Sequence, residues 1–344
     1  MSIAFDPGTY RFLSLRRVGG KLLSRSNRSV YSVLPNSVSH QQILKQAGLK
    51  YSSCEDGLLL LGDAAHDSSG LFKVRCRPLM PGGRIPREDP LARQLIGALV
   101  ESVLPKSEQP DEVCCFTVPG GADLAGESNR DDVEFLQRVI RLQGYAPQIV
   151  PASLALILSQ LVENAFTGIG MVFGASGAEA LLTHRGEPIC HARVDMGGDW
   201  IDEQLATRQK QIGFEPETGD RFLNVDGVQR RREAVGTPLV LAKSVFEQEL
   251  VSLLHKVVSE LTQSLLTELA RTPRAGNMPT PLPVVCSGGL VRTVGFDTLV
   301  SEVLRDADFP LALQKPQIVT DAERSIPRGL LISAELEASS RNAA

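Results

Sequence analysis

The stretch 169–205, IGMVFGASGAEALLTHRGEPICHARVDMGGDWIDEQL, decides the fold because it holds two glycine turns among three short apolar runs. Ile169 to Phe173 breaks into Gly174-Ala175-Ser176-Gly177; the chain resumes as Ala178 to Thr183 and turns again at Arg185-Gly186-Glu187. Glycine turns between short apolar runs are the pattern of antiparallel strands joined by hairpins. A third strand, Pro188 to Val194, runs into Gly197-Gly198-Asp199, after which Trp200, Ile201 and Leu205 recur at helical spacing. The second glycine pair therefore falls on a strand-to-helix junction. Such a junction presents unpaired N–H groups at the positive end of a helix, and glycine lets a phosphate or ribose approach that backbone closely.

Residues 3–24 repeat the arrangement, with Ile3 to Phe5, Tyr10 to Leu15 and Lys21 to Leu23 as strands and Asp6-Pro7-Gly8-Thr9 as a tight turn, which alone reads equally as a plain hairpin loop. Residues 25–88 are mixed, with strand candidates at 58–61 and 71–77, and read as a small peripheral insertion. Asp89-Pro90 starts a helix over 90–104, with Asp89 as N-cap and proline at the first position. EVCCFTV (112–118) suits a strand buried on both faces and stops at Pro119-Gly120-Gly121. A helix over 131–143, a strand over 148–150 and a helix opened by Pro151 follow.

Beyond residue 205, Arg208 to Val240 is polar and poorly periodic, the mark of a second appendage. Phe246, Leu250, Leu253, Val257, Leu261 and Leu265 then stripe the longest helix. Pro283 to Cys286 meets Ser287-Gly288-Gly289, a third strand and glycine turn, before a helix over 296–305. Pro327 opens a last helix, and the polar tail is expected to be disordered.

The chain of 344 residues is long enough for two lobes, each with its own core. With 42% hydrophobic and 22% charged residues and no apolar run near the roughly 20 needed to span a bilayer, it has the composition of a soluble globular protein. Met1 to Phe5 has no secretory pattern, so the cytoplasm is the expected compartment. A net charge of -4 argues against a nucleic-acid partner, and Arg230-Arg231-Arg232, between Gln229 and Glu233, reads as a solvated face. The six cysteines lack metal-ligand spacing and read as buried free thiols, and the five histidines are scattered singly.

Two meanders, each followed by alternating strands and helices, describe an α/β protein of two duplicated lobes with a cleft between them and two small inserted subdomains. The order of IAFDPGT (3–9), FTVPGGA (116–122), VPASLAL (150–156), GASGAE (174–179), MGGDWIDEQL (196–205) and VVCSGGLVR (284–292) resembles the actin-like ATPase superfamily, and within it the bacterial MreB cell-shape proteins. LLLLGDAA (58–65) and RPLMPGGRI (77–85) resemble the bounds of that family's first insertion. The resemblance implies ribonuclease-H-like lobes at 1–150 (insertion 25–88) and 151–336 (insertion 206–243), with a tail at 337–344. It also implies a bound ATP or other nucleotide with magnesium. Asp6 would hold water on the metal, the Gly8 and Thr9 backbone would cradle phosphates, and Gly174, Ser176 and Gly177 would grip from the other side. Gly197, Gly198 and Asp199 would meet ribose and phosphates, and Gly288 and Gly289 the base.

Departures from the pattern bear on chemistry. Val150 stands where the resemblance calls for a water-positioning glutamate, and Val172 where it calls for a second aspartate. A positioned acid or base contributes typically about 100-fold to 10,000-fold in rate, so at most a weak ATPase is expected. The resemblance thus implies a filament-forming cytoskeletal protein that self-associates and meets cell-shape or division partners; a pseudo-ATPase scaffold of the same fold and a small-molecule kinase are the alternatives. GASGA only imitates a nucleophile elbow, since Ala178 follows as a strand instead of a helix. Membrane contact is not readable from the sequence.

Overall fold

The computed structural model describes residues 2–55, 57–120, 130–214, 219–272, 278 and 280–343; Gly121 and Ala122 of the stretch 116–122 lie outside them. The first half opens with β1 (Ser2–Pro7), β2 (Arg11–Val18) and β3 (Lys21–Arg28), paired antiparallel. A small unit follows: β4 (Val30–Leu34), α1 (Val38–Gln46), β5 (Ser52–Cys54), β6 (Gly57–Leu61), α2 (Asp63–Phe72) and β7 (Arg77–Pro78). Its strands form a sheet in the order β5-β6-β4-β7 around Leu34, Leu44, Leu58 and Leu60. Strand β3 still belongs to the main sheet at residue 25, and the strand expected over 71–77 is instead the end of α2 and a loop into β7.

The chain returns through α3 (Pro90–Val103), β8 (Glu112–Phe116), α4 (Arg130–Leu142) and β9 (Tyr145–Ile149). Strand β9 starts at Tyr145, ahead of the expected Gln148, because it is an edge strand, where Pro147 and its missing donor are tolerated. The second half runs α5 (Ala152–Gln160), β10 (Gly168–Phe173), β11 (Ala178–His184), β12 (Glu187–Val194) and α6 (Gly198–Arg208). Its own small unit holds β13 (Ile212–Phe214), β14 (Arg221–Leu223) and α7 (Val225–Glu233). Then come α8 (Val245–Ala270), started by a capping box of Ser244 and Glu247, β15 (Val284–Ser287), α9 (Phe296–Asp306), β16 (Gln317–Ile318) and α10 (Ala322–Ala343).

The two main sheets repeat one topology, β3-β2-β1-β8-β9 and β12-β11-β10-β15-β16. In each, a three-stranded antiparallel meander is extended by two parallel strands. This is the duplicated α/β lobe expected from the sequence. Helices α5 and α10 join the halves: α5 packs on β10, β11 and β15, whereas α10 crosses back onto β1, β2 and β8. They meet so closely that a Cβ at Gly329 would lie 1.7 Å from the Ala155 carbonyl oxygen, so only glycine fits. Around them Ala4, Leu15, Leu156, Val285, Leu330 and Leu331 fuse into one core between the lobes.

Helix α10 corrects two expectations. It begins at Ala322, ahead of Pro327, because Ile326, Leu330, Leu331 and Ala334 bury a helical stripe that outweighs one missing backbone bond. Over the described residues 337–343 it is helical rather than a disordered tail, with Ser339 and Ser340 donating back to Glu335 and Leu336 and an Arg341–Glu337 pair at 3.0 Å.

Candidate functional site: a cleft shared by two hairpins

The two glycine hairpins face a single cavity of about 570 Å³. Strand register makes them equivalent residue by residue. Pro7 opposes Phe12 across the turn 8–11, and Phe173 opposes Ala178 across the turn 174–177. One position back, Asp6 opposes Leu13 and Val172 opposes Glu179. All four of these side chains line the cavity. Each hairpin therefore contributes one carboxylate at the same level, from its first strand in the first lobe and from its second strand in the second.

Sequence reasoning missed Glu179 as a site residue; there it only closes the stretch GASGAE (174–179). It is 4% exposed and accepts a 2.6 Å hydrogen bond from the Ser153 N–H at the start of α5. His191 Nε2 and Arg193 Nη1 on the neighbouring strand approach it to 3.9 and 4.0 Å. Burial pushes its pKa up, but His191 and the Ser153 groups outweigh burial and hold the carboxyl below its ordinary value. Asp6 behaves in the opposite way. Burial lifts it to about 6; the Thr117 hydroxyl, 2.5 Å away, opposes the rise, and the charge of Glu179 adds to it. Protein groups outweigh burial at one carboxylate, and burial outweighs them at the other.

Of the residues singled out in the sequence, Asp6, Gly8, Thr9, Gly174, Ser176, Gly177, Gly198, Gly288 and Gly289 come together on the cavity wall; Gly197 and Asp199 do not. The donors expected to be unpaired at the start of α6 are already used: the Gly198 N–H donates to Gly174 O at 3.0 Å, and the Asp199 N–H to Ala175 O at 2.9 Å. Gly197 is glycine because the loop lies against it, 2.3 Å from a Cβ to Ala175 O, rather than because a ligand approaches. Asp199 is raised to about 6 by burial and then by Asp202. Val172 lines the cavity, while Val150, 6% exposed, belongs to the core between the lobes.

Arginines supply what the sequence did not disclose. Arg11, Arg28, Arg193, Arg232 and Arg292 all line the cavity. Arg232, expected on a solvated face, makes bonds of 2.7 and 2.8 Å to Asp202, and both side chains are at least nine-tenths buried. Arg193 lies against the second loop, 2.9 Å from where a Gly177 Cβ would stand, and pairs with Asp195 at 3.1 Å. Arg11 holds Asp63 at 3.0 Å, and Arg28 stacks over Tyr10 at 4.5 Å. No motif could announce this group, because its members lie on separate elements and converge only in the folded chain.

The two small units touch each other, and the second also borders the cavity. Arg230 of α7 donates to Ser69 of α2 at 2.5 Å, and Gly83, just after the first unit, lies against Ser176, 2.7 Å from a Cβ to its hydroxyl oxygen. Helix α7 also presents Gln229, Arg232 and Glu233 to the cavity. Among the described residues, no helix is long and apolar enough to cross a membrane.

Comparison with known proteins places this geometry. MreB5 of Spiroplasma citri bound to AMPPNP superposes with a TM-score of 0.67 at 15% identity, over 99% of this chain and 98% of that one. The same protein bound to ADP gives 0.66 at 14% identity, over 99% and 98%. A MamK double helical filament gives 0.65 at 18% identity, over 97% and 99%. These likenesses show the actin-like fold. No curated protein matches the chain. The volactin family model matches residues 1–334, nearly the whole length, and the chain therefore belongs to the volactin family.

Proposed function

We propose that this chain is a cytoplasmic actin-like filament protein, with lobes 1–150 and 151–336, that binds ATP or another nucleotide with magnesium in the shared cleft and turns it over slowly or not at all. The observation that carries this reading is the convergence of two equivalent glycine hairpins, two carboxylates and a set of arginines on one cavity. Backbone amides of Gly8, Thr9, Ser176 and Gly177 would meet phosphate oxygens, while Arg193 beside Gly177 offers positive charge. Gly198, Gly288 and Gly289 would take the ribose and base. The donor set fits a hard divalent cation: Asp6 would hold magnesium, directly or through water, with Glu179 as a further oxygen donor. When bound, magnesium neutralises phosphate charge; it would also relieve the cost of ionising Asp6.

Slow turnover follows from the acids present. Val150 cannot orient water, Val172 supplies no second acid, and Glu179, held below its ordinary pKa with Ser153 already donating to it, is a weak base. The internal use of the Gly198 and Asp199 amides favours a second reading, a scaffold whose loops are braced for structure alone. Calorimetry with ATP and magnesium, followed by pelleting with and without nucleotide, separates the two. Binding heat and nucleotide-dependent pelleting are expected. Absence of heat overturns nucleotide binding, and pelleting without heat supports the scaffold.

A further inference from the structure

His66 on α2, Cys76 in the loop before β7 and Asp226 in the first turn of α7 bring an imidazole nitrogen, a thiol sulfur and a carboxylate oxygen within 4.8 Å of one another. The first two belong to the small unit of the first lobe and the third to that of the second. We infer that these three side chains form a binding site for a zinc-class divalent cation that clasps the two small units together beside the cleft. The inference is independent of nucleotide binding.

The ligand chemistry suits a borderline-soft ion, for which mixed nitrogen, sulfur and oxygen sets are the norm. Tetrahedral ligand atoms around zinc stand roughly 3.5 Å apart, so atoms that all lie within 4.8 Å of one another need a contraction of at most about 1 Å. All three residues are partly rather than fully buried, and water would be the fourth ligand. Charge balances as well, since a thiolate and a carboxylate neutralise a dication while His66 contributes a neutral ring. Burial, followed by the nearby arginines, holds His66 below its ordinary pKa. Without a cation Cys76 is a protonated thiol, its pKa raised to about 12 by burial and the charge of Asp226. A bound metal would displace that proton.

Arg230 donates to Asp226 Oδ2 at 2.7 Å, and a carboxylate has room to keep that bond and bind a metal. Arg28 and Arg230 nonetheless put positive charge nearby, so affinity is set below that of closed four-ligand sites. The clasp has a lever. Asp226 shares its helix with Gln229, Arg232 and Glu233, which line the cleft, so fixing the start of α7 fixes that wall.

The test uses cobalt as a spectroscopic stand-in for zinc on the full chain, without nucleotide. A thiolate-to-cobalt charge-transfer band is expected in the native protein and in Cys54→Ser, which removes the exposed cysteine. The band should vanish in Cys76→Ser, and Asp226→Asn and His66→Gln should each weaken apparent cobalt affinity at least about tenfold, the lower end of what losing a supporting group costs. Circular dichroism confirms that each variant folds. In a Cys54→Ser background, zinc should also slow thiol labelling of Cys76, and Asp226→Asn should abolish that protection. No band in the native chain, or a band of equal affinity in Asp226→Asn, overturns the clasp.

Discussion

The hairpins of the two lobes share a register and a cavity but differ in where the acid sits and in what supports it. Asp6 stands on the first strand of its hairpin, opposite Leu13; in the second lobe Val172 takes the equivalent place and the acid is its cross-strand partner, Glu179. The second hairpin is braced by α6, through Gly198 and Asp199, and α6 in turn by Arg232 on Asp202. Glu179 is further balanced by His191, Arg193 and the Ser153 amide. Among the described residues, the acid of the first hairpin accepts one side-chain bond, from the Thr117 hydroxyl, and burial raises its pKa to about 6. Duplication preserves a backbone while leaving each lobe free to settle its own charges: one acid is held below its ordinary pKa by its neighbours, and the other above it by burial.

The largest expected effect breaks the brace. Arg232→Ala leaves Asp202, 1% exposed, buried without its partner, and should destabilise the second lobe by about 3–5 kcal/mol, read as a lowered midpoint in chemical denaturation. Next, the two acids should respond to neutralisation with opposite sign. Glu179→Gln loses charge-assisted bonds and should cost about 1–3 kcal/mol. Asp6→Asn removes an unfavourably buried charge and should stabilise the ligand-free protein by on the order of 1–2 kcal/mol near neutral pH, while abolishing any magnesium dependence of nucleotide binding. Equal signs for the two variants would erase the distinction drawn between the hairpins.

A smaller effect concerns pH. The folded-state pKa of Asp6 lies above its ordinary 3.8, so its charged form costs stability above about 6, and that cost is relieved as pH falls toward 4. Glu179 lies below its ordinary 4.5, so its contribution is present above that value and is lost as pH falls through its lower folded pKa. Magnesium affinity, followed by titration across this range, should therefore weaken below pH about 6, in step with protonation of Asp6. Unchanged affinity down to about pH 5 would take the metal away from Asp6.

The sequence disclosed both hairpins because glycine turns and short apolar runs are local signals, and α8 because its stripe repeats over many turns. It could not disclose Glu179 as a site residue, since nothing local tells an outward strand acid from one turned into a cleft. The same holds for Arg232, whose place within three consecutive arginines looks like a solvated run until Asp202 is brought against it by α6. Cys54 and Cys76 were expected to be buried; Cys54 is exposed and Cys76 half-buried, because their segments belong to a small unit with a core of its own. The start of α10 was hidden by Pro327, a local stop signal overruled by burial against both lobes.

Amide hydrogen exchange over residues 6–9 and 174–177, measured with and without magnesium and a non-hydrolysable ATP analogue, tests the shared cleft most directly. The account predicts that both loops gain protection together, and that Asp6→Asn removes the gain from both. Protection confined to one loop, or absent from both at saturating nucleotide, would contradict it.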